Sequence, residues 1–229
     1  MKGFLTLAVS ACLAASLCTA APCINGSLAS YIALAGGGCT IDGNTLFNFQ
    51  TVSGTAGTTA IATADLLISP FGGSTSFGFT ATTAKTAATG TLLESIFTYQ
   101  ISGNLYTGTS ITLAGSSETG DGAVADVQNY CAGGTFGPSG VTGCSGLAGS
   151  LVALDGIQQT DQGTFGGVTL LSITDDFTLD GGLAGSASGG SFTNQFTAQS
   201  VAAIPEPLSL LLAGLGLALA AVIKRGQHE

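Results

Sequence analysis

Between two apolar ends, the chain never sustains helical periodicity for a dozen residues, and that absence constrains its fold more than any other feature. Parallel strands need crossover connections of about that length, usually helical, so a chain without them is steered to antiparallel pairing. What recurs instead is alternation with a period of two. Over residues 45–52, Phe47 and Phe49 fall on one side, and over 76–81 Phe77 and Phe79 do the same. Further strands are expected over 61–69, 96–102, 110–113, 124–130, 151–154, 168–174, 177–179 and 192–196. Glycine, 36 of the 229 residues, punctuates them at the intervals of an all-β antiparallel sandwich, of jelly-roll or immunoglobulin-like type.

One short helix is expected over 27–35, where Leu28, Tyr31, Ile32 and Ala35 share a face, Ser27 or Asn25 can cap it and Gly36 can stop it. It lies between Cys23 and Cys39. With Cys12 and Cys18 in the leading segment 1–21, the domain keeps four cysteines, Cys23, Cys39, Cys131 and Cys144, for which three pairings are possible. Nearest-neighbour pairing, Cys23 with Cys39 and Cys131 with Cys144, closes two short loops, each worth ~3 kcal/mol in chain entropy. Zinc is a poor competitor, because no two of the four stand in close Cys-x-x-Cys spacing and the domain has no histidine.

The two ends read as addresses. Lys2, the apolar stretch 4–17 and the small residues up to Ala21 form a secretory signal over 1–21, with cleavage by signal peptidase expected after Ala20 or Ala21. At the other end Pro205, Glu206 and Pro207 precede an uncharged run, 208–223, closed by Lys224 and Arg225. As a transmembrane helix that run would span ~24 Å, short of the ~30 Å hydrocarbon layer. The basic pair would hold its C-terminal end on the cytoplasmic side, and the prolines would keep the preceding segment extended at the outer interface. Residues 22–203 would then lie outside the inner membrane as one domain.

The tail, residues 204–229, resembles the PEP-CTERM sorting signal of Gram-negative bacteria, found on proteins encoded alongside exopolysaccharide biosynthesis. The resemblance implies recognition at Pro205, Glu206 and Pro207 by an exosortase, with Lys224 and Arg225 as the basic stop, and then release or transfer to the cell surface. The domain is also similar to a recurrent secreted domain of such proteins. Cys23-Ile24-Asn25-Gly26-Ser27-Leu28 with Gly37-Gly38-Cys39, then Tyr130-Cys131-Ala132-Gly133-Gly134, then Gly185-Ser186-Ala187 before Phe192, carry that likeness. It implies no activity.

Chemistry is scarce in the domain. Eleven carboxylates face the single cation Lys85, a balance that repels phosphate backbones and excludes nucleic acid as a partner. The one histidine, His228, is in the tail, so no Ser-His-Asp or Cys-His arrangement can be assembled in the domain. Paired carboxylates among Asp175, Asp176 and Asp180 fit glycoside hydrolysis only without a tryptophan platform, so the domain is expected to be no enzyme and to need no cofactor. The same three acids are weak calcium candidates, with Asp121 and Asp126 weaker still. Tyr31, Tyr99, Tyr106 and Tyr130 are expected in the core rather than on a sugar platform. Two functions remain: an exported structural protein of the cell surface or biofilm matrix, associated with exopolysaccharide, and a calcium-dependent carbohydrate-binding module.

Overall fold

The computed structural model describes residues 20–73 and 75–199. Nearly all of the expected export signal, and the whole sorting tail with its expected membrane helix, lie outside the described residues. Among the described residues no helix is long and apolar enough to cross a membrane. The strands are β1 (Gly26–Ser27), β2 (Cys39–Ile41), β3 (Asn44–Thr51), β4 (Thr59–Ala60), β5 (Leu67–Gly72), β6 (Ser76–Thr82), β7 (Thr86–Ala87) and β8 (Leu92–Ala114). After them come β9 (Ser117–Thr119), β10 (Ala123–Ala132), β11 (Leu147–Leu154), β12 (Thr160–Asp180), β13 (Ser186–Ser188) and β14 (Ser191–Gln199).

Two long strands organise the domain. The main sheet runs β1-β5-β6-β14-β8-β12-β10-β11, with β3 also on β8 and β2 outside β3, while β7, β13 and β9 form a small second sheet. Among these strands, pairing is antiparallel except for the two-residue contact of β4 with β8. Along its first half β8 lies between β3 and the second half of β12, and along its second half between β14 and the first half of β12. The β8–β12 register slips between Thr164 and Leu170, and there both strands turn the corner that makes one sheet into two facing layers. Gly103 sits at that corner with φ of 135°, where a Cβ would stand 2.4 Å from the carbonyl oxygen of Gly43, so only glycine fits. The result is a β-sandwich whose interior is filled by Phe49, Phe77, Phe79, Phe97, Tyr99, Phe177, Phe192 and Phe196. Phe49 stacks on Tyr99 and Phe177 on Phe192, with centroids 5.0 and 5.1 Å apart.

Several expected elements change in detail. Segments 96–102 and 110–113 are parts of one strand, because Gly103 bends it without ending it, and 168–174 and 177–179 are likewise one strand, running unbroken through Asp175 and Asp176. Over 61–66 the chain turns rather than pairs, and Ile61 and Leu66 reach the core from a loop. Phe47 and Phe49 do not share a side: Asn48, at φ of 55°, forms a bulge that shifts the alternation, so Phe49 is buried and Phe47 only half-buried. The helix α1 is Leu28–Ile32, capped by Ser27, whose Oγ accepts from the Ser30 N–H at 3.3 Å. Gly36 falls inside a 3-10 turn, Ala35–Gly37, and the chain reverses at Gly38, φ 60°. The disulfides Cys23–Cys39 and Cys131–Cys144 are both present.

Candidate functional site

The acids singled out in the sequence do not converge. Alternation along β12 turns Asp175 into the core and half-buried Asp176 to the other face, while Asp180, exposed at the strand end, accepts from the Gly182 N–H at 2.8 Å. Burial, and then Glu94 nearby, raises the Asp176 carboxyl above its ordinary value. Asp121 clamps a turn by accepting from the Ala184 and Leu183 N–H groups at 2.8 and 2.9 Å, and those bonds lower its pKa. Asp126 points into the core. Glu94 accepts from the Thr55 N–H and from the hydroxyls of Thr55 and Thr58, at 2.6 to 2.9 Å, and so organises the loop after β3. Among the described residues no three His, Cys, Asp or Glu side chains gather around one point. All four tyrosines are buried, which removes them as a sugar platform. Pro205, Glu206, Pro207, Lys224 and Arg225 lie outside the described residues.

A surface feature that can hold a ligand is built on the outer side of β3, β8 and β12. There β8 presents Thr98 and Gln100, β12 presents Ser172 and Thr174, and the bulge in β3 presents Asn48 and Gln50. Asn tolerates the left-handed conformation that the bulge imposes at position 48. Its Nδ2 donates to Gln100 Oε1 at 2.7 Å, and Gln100 Nε2 donates to Ser172 Oγ at 3.4 Å, so a row of side-chain bonds crosses all three strands.

A loop over residues 133–146, tied at its base by Cys131–Cys144, folds over this row. Ser172 Oγ donates to the Gly134 carbonyl at 3.0 Å, and Thr174 Oγ1 donates to that of Gly140. Gly140 passes so close to the sheet, at φ of 72°, that a Cβ would stand 2.8 Å from Thr98 Cγ2. Between loop and sheet run two adjoining depressions of about 210 and 490 Å³ that share Gln50, Thr98, Pro138 and Gly140. Phe136 and Pro138 supply apolar wall, and no lining residue of either depression carries a charge. Gln50, exposed, makes no side-chain hydrogen bond among the described residues. An uncharged groove with amide donors and acceptors beside an apolar wall suits a neutral, polyhydroxylated ligand.

Sequence reasoning passed over Asn48, Gln50, Gln100, Phe136 and Pro138 because it weighed acids and tyrosines, the residue types that carry reactions. Two signals were available. Asn48 interrupts an alternating strand, and the Cys131–Cys144 interval encloses Gly133-Gly134 and Gly137-Pro138-Ser139-Gly140, the composition of a stapled loop.

No family model matches the chain, and no curated protein matches it. A similar solved structure is TmCBM61 in complex with β-1,4-galactotriose, at 9% identity and a TM-score of 0.24, over 56% of this chain and 68% of that one. At that TM-score the likeness bears on neither the fold nor the ligand.

Proposed function

We propose that residues 22–203 form a non-enzymatic carbohydrate-binding domain carried outside the cell, whose groove holds a neutral polysaccharide. One observation carries the reading: in a domain with eleven carboxylates, the groove formed by Asn48, Gln50, Gln100, Phe136 and Pro138 is lined by none. The two disulfides support an oxidising, extracytoplasmic compartment. Export through residues 1–21, sorting by exosortase at Pro205, Glu206 and Pro207, and orientation by Lys224 and Arg225 belong to the same proposal and rest on the sequence. Exopolysaccharide at the cell surface or in a biofilm is then the natural ligand class. Calcium is not needed, because the groove offers an ion no carboxylate.

The test is a panel of neutral and acidic polysaccharides probed with the purified protein, with and without chelator. Neutral glycans should be retained in both conditions and released unchanged. Gln50→Ala or Gln100→Leu should weaken retention about tenfold, the worth of one or two hydrogen bonds. Retention of no glycan, or equal retention by both variants, would overturn the reading.

A further inference from the structure

The inner side of the same strands holds a polar cluster that the groove does not use. β10 contributes Asp126 and Gln128, β12 contributes Asp175 and β8 contributes Tyr99, while Thr109 and Asn194 come from the opposite layer. The two aspartates, Gln128 and Asn194 are all 0% exposed. Asn194 Nδ2 donates to Asp175 Oδ2 at 2.6 Å and to Tyr99 Oη at 3.0 Å, and Thr109 Oγ1 donates to Gln128 Oε1 at 2.6 Å. The rest is unpartnered: both oxygens of Asp126, Asp175 Oδ1, Asn194 Oδ1 and Gln128 Nε2. Four acceptor atoms thus face two spare donors, Gln128 Nε2 and the Tyr99 hydroxyl proton, beside the rings of Phe97 and Phe196, whose centroids lie 6.0 and 6.3 Å from that of Tyr99.

Nothing positive faces this cluster. Lys85, the one cation among the described residues, pairs with Asp65 at the surface, 2.7 Å away. Of the strands packed around the aspartates, β8 brings Glu94, Tyr99 and Tyr106, β10 brings Tyr130, β12 brings Asp176 on its other face and Asp161 and Asp180 near its ends, and β6, β11 and β14 bring no titratable group. Two ionised carboxylates without a cation are not sustainable in such surroundings, whereas neutral acids supply the missing donors.

We propose that Asp126 and Asp175 are a proton-holding couple that closes the sandwich as neutral acids and loosens it when they ionise. The protonated Asp126 hydroxyl donates within the cluster, and ionisation sends that proton to solvent and leaves an uncompensated charge in the core. Burial, reinforced by Asp175 and then Asp176, pushes the Asp126 carboxyl far above the usual range. Burial likewise raises Asp175 from 3.8 to about 7, against the hydrogen bond from Asn194 and the nearby polar groups of Gln128 and Tyr99, which pull it down. Because the folded values lie above the unfolded one, the stabilisation is complete below the unfolded value and is lost as pH rises through the folded values. The couple goes beyond the groove reading and does not depend on it.

Thermal unfolding of the full-length protein in mild detergent tests it. From pH 5 to pH 8 the wild-type Tm should fall by roughly 5–10 °C, and Asp175→Asn should flatten the decline. Infrared spectra of the wild type need no variant and should show a protonated-carboxyl carbonyl band at pH 5 that shrinks by pH 8. A Tm that does not fall and no such band would overturn the proposal. So would a stoichiometric metal ion whose removal by chelator lowers Tm at neutral pH, since the pair would then hold a cation in place of protons.

Discussion

The two sides of the β8–β12 pair use polar residues in opposite ways. Outward, Gln100, Ser172 and Thr174 bond to one another or to the stapled loop, Thr98 stands half-buried beside them in the groove, and all four are neutral and lie close to the surface. Inward, Phe97, Tyr99, Ile173 and Asp175 are sealed between layers, and the acid there is short of partners. A polar group beside water costs little to keep and is free to meet a ligand, whereas the same group in the core must be satisfied internally or stay uncharged. Exchanging a residue should therefore have consequences set by the side it faces rather than by its polarity.

Four variants sharpen or break that comparison. Phe177→Ala, which removes a fully buried ring stacked on Phe192, should cost about 3–5 kcal/mol in a denaturant titration. A loss below ~1 kcal/mol would mean that the inner side is loosely packed. Cys131→Ser with Cys144→Ser should cost ~3 kcal/mol and also abolish glycan retention, because it frees the loop that walls the groove. If stability falls while retention is kept, the loop is no part of the site. Gly103→Ala should cost roughly 1–3 kcal/mol from strain at the corner where both sides turn. Thr98→Ala, on the outer side, should stay within about 0.5 kcal/mol of wild type while perturbing retention.

The all-β fold was legible because alternation and turn residues act locally. Phe77 and Phe79 announce their strand, and both are fully buried. The union of 96–102 with 110–113 was not legible, since a glycine such as Gly103 reads as a break unless the partner strand that bends with it is known. The bulge at Asn48 escaped for the same reason: it depends on what β3 pairs with. The groove was less legible than the fold. Its side chains come from β3, β8, β12 and a loop far apart in sequence, and amides and hydroxyls carry no distinctive spacing. The acidic run Asp175-Asp176 was conspicuous, yet strand alternation divides it between core and surface, so the conspicuous residues are not the ones that meet in the groove.

Exosortase sorting is tested apart from binding, by replacing Pro205 and Pro207 with Ala and blotting fractionated membranes and medium. The full-length precursor should accumulate in the inner membrane with the domain folded, and wild-type processing of this variant would reduce the tail to a plain anchor.

The most direct test of the central claim is an NMR titration of the labelled domain with a neutral glycan from the retained set, following the side-chain NH₂ signals of Asn48, Gln50 and Gln100. The account predicts that these three signals shift together and saturably, while that of the buried Asn194 stays in place. Shifts confined to another surface, with the Asn48, Gln50 and Gln100 amides unmoved, would contradict it.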